Sequence, residues 1–285
     1  MENPNPSDTA TLYVVATPLG NLGDMVPRAV EVLQTVDVIA AEDTRRSRPL
    51  LQHFGIDTAL VAYHDHSDAR TVERLMGTLR GGGSLALISD AGTPLISDPG
   101  YRLVDAATAE GIRVVPIPGA SALIAALSVA GLPSDRFIFE GFLPAKTHGR
   151  RAVFDALKRE PRTLIFYEAP HRLLDCIEDV VAVLGESRTV VLARELTKMH
   201  ETVLRMPATE LRDRVAADRN QQRGECVLLV AGYQGDDSGL RDDVIAALDV
   251  LRAELPLKQA AALCARITGA KKNQLYQYGV DHPLS

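Results

Sequence analysis

This sequence predicts an α/β fold in two units with a small helical appendage, and three observations carry the prediction. Short apolar runs alternate with amphipathic helical stretches over roughly the first 120 residues, the pattern of a parallel sheet covered by helices. A second, less regular αβ stretch continues to residue 232. Gly232 to Gly239 is then polar and glycine-rich and reads as a linker; only helical patterns follow it. At about 100–200 residues per domain, 285 residues agree with two domains and an addition.

Residues 1–10 carry two acids, no Lys or Arg and no apolar core, so they read as a disordered tail and not a signal peptide. Residues 11–118 form the first αβ domain. Its strands are expected at 12–16, 36–40, 60–62, 85–88 and 114–117, and its helices at 27–33, 48–54, 69–79 and 103–109. Gly81-Gly82-Gly83 punctuates the chain before the fourth strand. Residues 119–232 form the second domain, with strands at 136–139, 163–167, 190–193, 201–206 and 226–230 and helices at 149–157, 172–184 and 209–217. After the linker at 233–239, residues 240–285 form a small helix-turn-helix-like domain with helices at 240–251, 258–267 and 271–276. Pro256 is expected in the first turn of the middle one.

Composition narrows the function. Three widely spaced cysteines, Cys176, Cys226 and Cys264, give neither a disulfide framework nor a CxxC zinc site. No apolar run approaches the roughly 18–20 residues that cross a bilayer. Both features point to the cytoplasm. The net charge of −6 excludes coating nucleic acid through bulk charge. Any polyanion must meet local basic stretches, and there are two: residues 144–162, and residues 255–280, which hold Lys258, Arg266, Lys271 and Lys272 and no acid before Asp281.

The unusual loops share one position. Thr17 to Asp24, Glu42 to Arg45, Ser89 to Gly100 and Pro118 to Ser121 each follow the carboxyl end of an expected strand. Parallel strands bring those ends to one rim, where open sheets bind ligands. The loops lack the GxGxxG and GxxxxGK patterns that cradle phosphates. They offer backbone groups, small hydroxyls and the carboxylates of Asp90 and Asp98. That lining suits a cationic nucleoside with an amino-acid tail, and S-adenosylmethionine is one. The second unit adds titratable groups after two of its strands, in Tyr167 to Arg172 and Arg194 to Lys198. A site between two domains draws its acid, base and anion-binding groups from such places.

Taken together, V-V-A-T-P-L-G-N-L-G-D (14–24), A-A-E-D-T-R (40–45), S-D-A-G-T-P-L-I-S-D-P-G (89–100), P-G-A-S-A (118–122), F-Y-E-A-P-H-R (166–172) and A-R-E-L-T-K (193–198) resemble the tetrapyrrole (corrin/porphyrin) methylase superfamily. The likeness covers about residues 11–232. It is strongest to a branch that methylates a cytidine ribose 2′-hydroxyl in 16S rRNA. The terminal helices resemble that branch's small domain more loosely. Ala16-Thr17-Pro18-Leu19-Gly20 stands where porphyrin methylases usually have G-x-G-P-G-D, and Gly92-Thr93-Pro94 where they have G-D-P. Both departures favour the RNA branch over a tetrapyrrole substrate.

The resemblance implies a parallel-sheet first domain, a mixed-sheet second domain, S-adenosylmethionine in the cleft between them, and a homodimer. The cofactor-binding candidates are Pro18, Leu19, Gly20, Asp90, Ala91, Gly92, Pro94, Ser97, Asp98, Gly119, Ser121 and Tyr167. A ribose hydroxyl is a poor nucleophile and needs a base, or a cation near its developing charge. The candidates are Glu168 or Glu195 as base, Lys198 as cation and His171 as reserve base. Arg45, Arg172 and Arg194, with Lys271 and Lys272 in the terminal domain, are expected to hold RNA. No metal is expected; His64-Asp65-His66 has no third ligand near it in sequence. The partner is 16S rRNA or the small subunit, not DNA and not a membrane. Two rivals stand beside this reading: a tetrapyrrole methylase of the same fold, and a ligand-sensing regulator that reads DNA through its terminal helices.

Overall fold

The computed structural model describes residues 10–64, 69–235, 240 and 242–283. The tail at 1–9, residues 236–239 of the linker, Asp65 and His66 of the His-Asp-His pattern, and residues 284–285 lie outside them. Five strands, β1 (Thr11–Val15), β2 (Val38–Ala41), β3 (Ala59–Ala62), β4 (Ser84–Ile88) and β5 (Arg113–Ile117), pair in parallel in the order β3-β2-β4-β1-β5. Helices α1 (Pro27–Thr35), α2 (Thr44–His53), α3 (Ala69–Arg80) and α4 (Tyr101–Ala109) connect them. Their apolar sides explain the helical spacing. Ala29, Val32 and Leu33 of α1 pack on one sheet face, and Leu75, Leu79 and Leu103 of α3 and α4 on the other. Buried on both faces, β4 reads Ser-Leu-Ala-Leu-Ile without alternation.

In the second sheet, β6 (Phe137–Phe142), β7 (Thr163–Glu168), β8 (Thr189–Arg194), β9 (Thr202–Pro207) and β10 (Cys226–Val230) take the order β6-β7-β10-β8-β9. Only the β6–β7 pair is parallel, so the sheet is mixed. Between these strands run α5 (Ala122–Val129, ahead of β6), α6 (Thr147–Ala156), α7 (Leu173–Leu184) and α8 (Ala208–Ala217). Phe154, Ile177, Val180 and Leu211 of α6, α7 and α8 cover one face. Leu123, Ala126 and Leu127 of α5 pack on the other, where Leu19 and Ile96 from the first unit's loops join them. The first unit's rim therefore closes against the second sheet.

Three helices, α9 (Asp242–Glu254), α10 (Leu257–Thr268) and α11 (Lys272–Asp281), form a third core around Val244, Leu248, Ala261, Cys264 and Leu275. The structure corrects several local expectations, and α9 and α11 run three and five residues past their expected ends at 251 and 276. Helix α5 was not anticipated. Helix α2 begins at Thr44 instead of 48, because the Asp43 carboxylate accepts from the Arg45 amide and caps it. Strand β6 runs three residues past 139. Pro256 precedes α10 as its cap residue and does not sit in its first turn.

Candidate functional site

The rim loops are stitched to one another. Thr17 and Gly92 exchange backbone hydrogen bonds at 2.8 and 3.0 Å, tying the loop after β1 to the loop after β4. The Thr93 hydroxyl donates to Ala120 O at 2.9 Å, adding the loop after β5. Gly92 has φ +82°, and a Cβ there would stand 3.3 Å from Leu19 Cδ2. Leu95 and Ser97, at φ 73° and 65°, hold left-handed conformations that cost non-glycine residues energy and cluster at functional sites. The loop after β2 adds Glu42, whose carboxylate accepts from the Asp90 amide at 3.2 Å. Asp90 itself accepts from the Asp43 amide at 3.1 Å and pairs with Arg46 at 3.0 Å.

Across from this rim stand the carboxyl ends of β7 and β8. Glu168 is 2% exposed. Its Oε1 accepts from the Ala169 amide at 2.8 Å and pairs with Arg172 at 2.6 Å. Its Oε2 is buried and accepts no hydrogen bond from the described residues. Arg172 is therefore committed to Glu168 and is not presented to solvent phosphate. Tyr167 accepts from the Leu123 amide at 3.2 Å; burial first, with the Asp98 charge added, pushes its hydroxyl up to about 12 despite that bond. It stays neutral and cannot serve as a base. Burial, and then the nearby Glu168 charge, hold the Cys176 thiol well above its usual range, so it too stays protonated.

Glu195, Lys198 and Glu225 form a second cluster. Lys198 Nζ lies 3.0 Å from Glu195 Oε1 and 2.9 Å from Glu225 Oε2. Its aliphatic stem crosses Gly20, where an added Cβ would come within 2.5 Å of it. Gly20 is thus glycine because Lys198 lies on it. Glu195 has φ 52°, and its carboxylate occupies the space a Gly224 side chain would need. Burial pushes the Glu195 carboxyl up, but the Glu225 amide and the Lys198 ammonium outweigh it and hold it below its ordinary 4.5. Lys198 is desolvated too, yet its two carboxylates raise it on balance. At neutral pH Glu195 is a pinned anion and Lys198 a neutralised cation.

This predicts an acid-sensitive contact. A depressed carboxylate stabilises the fold fully above its unfolded value, and loses that contribution as pH falls through the folded one. Wild type and Glu195→Gln are expected to differ by about 1.5–3 kcal/mol at neutral pH and to converge below the carboxylate range. Thermal melts across pH check this; a gap that persists in acid contradicts it.

The remaining expected residues divide. Leu19, Asp90, Ala91, Gly92, Ser97, Asp98, Ser121, Tyr167 and Glu168 all line one cleft between the two units. Pro18, Gly20, Pro94 and Gly119 shape the loops behind it without lining it. Gly119, for example, approaches Ala16 so closely that a Cβ would sit 3.0 Å from the Ala16 Cβ. His171 is exposed and outside the lining. Arg194 corrects its expected role: it is 6% exposed and donates to Thr202 Oγ1, Arg223 O and His200 O at 3.0–3.2 Å, all bonds within the fold. Arg45 is 89% exposed and paired with Asp43 at 2.8 Å, while its neighbour Arg46 is the arginine that lines the cleft. Lys271 and Lys272 are exposed at the start of α11. Glu42, from an expected rim loop but not among the named candidates, also lines the cleft, as do Arg46, Phe142 and Glu225, which the sequence reading did not single out.

The cleft holds 440 Å³, a volume ordinary for a small-molecule site. Five carboxylates line it, from Glu42, Asp90, Asp98, Glu168 and Glu225, against the single cation of Arg46, which Asp90 already pairs. Leu19, Ile96, Ala122, Leu196 and Val227 supply an apolar seat. An anionic ligand is disfavoured. A flat ring carrying hydroxyls and positive charge fits, and the partnerless Glu168 Oε2 is a waiting acceptor. S-adenosylmethionine has that chemistry.

Comparison with known proteins agrees. Residues 11–212 match the family described as Tetrapyrrole (Corrin/Porphyrin) Methylases, and residues 238–282 match the RsmI C-terminal HTH domain. The chain is 62% identical over 274 residues to the ribosomal RNA small subunit methyltransferase I of Pseudomonas aeruginosa, covering 95% of this chain and 97% of that protein. To the protein of the same name in Escherichia coli O157:H7 it is 58% identical over 270 residues, covering 95% and 94%. Among solved structures, a diphthine synthase superposes with TM-score 0.61 at 16% identity, over 78% of this chain and 89% of that one. A cobalt precorrin-4 methyltransferase gives 0.58 at 15%, over 80% and 97%. These last two establish the fold alone.

Proposed function

This chain belongs to the tetrapyrrole methylases and, within them, to the ribosomal RNA small subunit methyltransferase I family, and from that premise we propose that it methylates the ribose 2′-hydroxyl of a cytidine in 16S rRNA. The observation that carries the reading is the carboxylate-lined cleft with its buried, partnerless Glu168 oxygen. S-adenosylmethionine, when bound, supplies a methyl group activated by its sulfonium. The seat formed by Leu19, Ile96 and Val227 would hold its flat ring, and Asp90 and Asp98 would take its hydroxyls and ammonium. Glu168 Oε2 accepts the proton that the substrate hydroxyl gives up, and Arg172, 2.6 Å from Oε1, orients that carboxylate. Glu195 and Lys198 position the wall beside Gly20 and do not exchange the proton. Arg46 on the cleft wall, with the exposed Arg45 beside it outside the cleft, faces the RNA backbone.

The terminal helices extend the grip. Lys271 precedes α11 as its cap residue and Lys272 begins it, and Tyr276 is exposed behind them, whereas Tyr278 stacks on His282 with centroids 4.3 Å apart. Replacing both lysines by alanine is expected to weaken subunit binding and flatten its log–log salt dependence by about one unit per lost phosphate contact. Unchanged affinity and slope would remove the helices from the interface. Exposed Ile124 and Val129 on α5 support a homodimer, which light scattering on the intact protein checks. The reaction belongs in the cytoplasm, with the ribosomal subunits; among the described residues no helix is long and apolar enough to cross a membrane.

Mixing the protein with labelled S-adenosylmethionine and small subunits, naked 16S rRNA, a tetrapyrrole or duplex DNA tests the reading. Label is expected in the RNA. Label in the tetrapyrrole, or DNA binding without transfer, overturns it.

A further inference from the structure

Phe142 lies at the mouth of the cleft, 57% exposed, although it is a large apolar side chain. Strict strand alternation would put residues 139 and 142 on opposite faces of β6, since their spacing is odd. The register against β7 instead slips between Phe139 and Gly141, an inserted residue that marks a β-bulge. Phe139 and Phe142 consequently both meet Tyr167 edge-on, with centroids 4.9 and 5.5 Å away. The bulge needs its glycine. Gly141 has φ +65°, and a Cβ there would come 2.9 Å from the Ser97 hydroxyl. A backbone irregularity thus turns a phenylalanine into the cleft, and Tyr167, anchored on the Leu123 amide, backs it.

The apolar seat of Leu19, Ile96 and Val227 already accounts for one flat ring, that of the cofactor. Phe142 lines the same cleft as a separate aromatic surface, more than half exposed. Resting on the rRNA reading above, we propose that Phe142 is the platform on which the target nucleobase of the RNA stacks, so that its ribose hydroxyl stands inside the cleft. Enzymes that modify a nucleotide commonly draw it out of its stack and hold its base against an aromatic side chain. One base–aromatic stack changes affinity by about 5- to 150-fold. Phe142 is a positioning residue in this role and touches no transferred atom.

The test compares steady-state methyl transfer to small subunits by wild type, Phe142→Ala, Phe142→Leu and Phe142→Tyr, with S-adenosylmethionine affinity measured by calorimetry. Phe142→Ala and Phe142→Leu are expected to raise KM for subunits by roughly tenfold or more, with cofactor affinity unchanged. Phe142→Tyr, which keeps the ring, is expected to stay near wild type. If Phe142→Leu matches wild type, an apolar wall suffices and the stacking role is overturned. If the loss falls on cofactor affinity, Phe142 belongs to the cofactor's seat and the inference is again overturned. Both outcomes leave methyl transfer by wild type intact, whereas a wild type inert on every RNA form removes the underlying reading itself.

Discussion

Glu168→Gln is expected to lower the rate of methyl transfer by about 10²- to 10⁴-fold, the range of a general base, while S-adenosylmethionine affinity changes only a few-fold. Oε1 of this buried carboxylate is occupied by Arg172 and the Ala169 amide, while Oε2 has no hydrogen-bond partner among the described residues. Glutamine keeps the shape and removes the proton acceptor. It also leaves Arg172 without its counter-charge, and breaking a buried pair in this way costs about 3–5 kcal/mol, so the single variant will melt earlier. The double variant Glu168→Gln/Arg172→Gln separates the two effects. It is expected to regain stability and not turnover. Recovery of turnover in the double variant would make Glu168 a structural partner of Arg172 and nothing more.

Gly92→Val is expected to reduce cofactor affinity by about 100-fold or more. Valine at φ +82° carries a backbone cost of about 1–3 kcal/mol. Its branched side chain must also displace Leu19, whose Cδ2 would stand 3.3 Å from the new Cβ. Leu19 is both a wall of the cleft and part of the core joining the two units, so the displacement reaches the seat directly. The Thr17–Gly92 bridge would strain with it. Gly92→Ala, with the same φ and a smaller side chain, is expected to fall between. Calorimetry that finds all three proteins alike would take this loop out of the binding site.

Most of the first unit was legible because its physics is local. Apolar strands buried on both faces, helices with one apolar side, and glycine- or proline-bearing loops at strand ends all leave short-range patterns. Helix α5 was missed for the converse reason. Ala122 to Val129 is apolar almost all round, packed against the second sheet on one side and exposed at Ile124 and Val129, so it shows no period. The capped start of α2 decided between neighbouring arginines. Once the helix begins at Thr44, Arg45 and Arg46 point about 100° apart, and only Arg46 reaches the cleft. Glu225 escaped notice because β10 runs antiparallel to β7 and β8. Its amino end, not its carboxyl end, meets their rim, pairing Cys226 with Glu168 and Arg194. Gly20 under Lys198 is a contact between residues 178 positions apart, which no local pattern announces. For Phe142 a signal existed: a glycine inside an otherwise regular strand marks a bulge, and Gly141 is that glycine.

On the proposed reaction, the methyl group lands on a ribose oxygen of small-subunit RNA. The direct measurement is to transfer labelled methyl from S-adenosylmethionine to small subunits, digest the RNA to nucleosides and identify the labelled species. A methylated 2′-oxygen also blocks alkaline cleavage of the adjoining linkage, because that cleavage requires the free 2′-hydroxyl. Label is expected in 2′-O-methylcytidine, carried through alkaline hydrolysis as an uncut dinucleotide. Label on a nucleobase, with the linkage still cleaved by alkali, would contradict it.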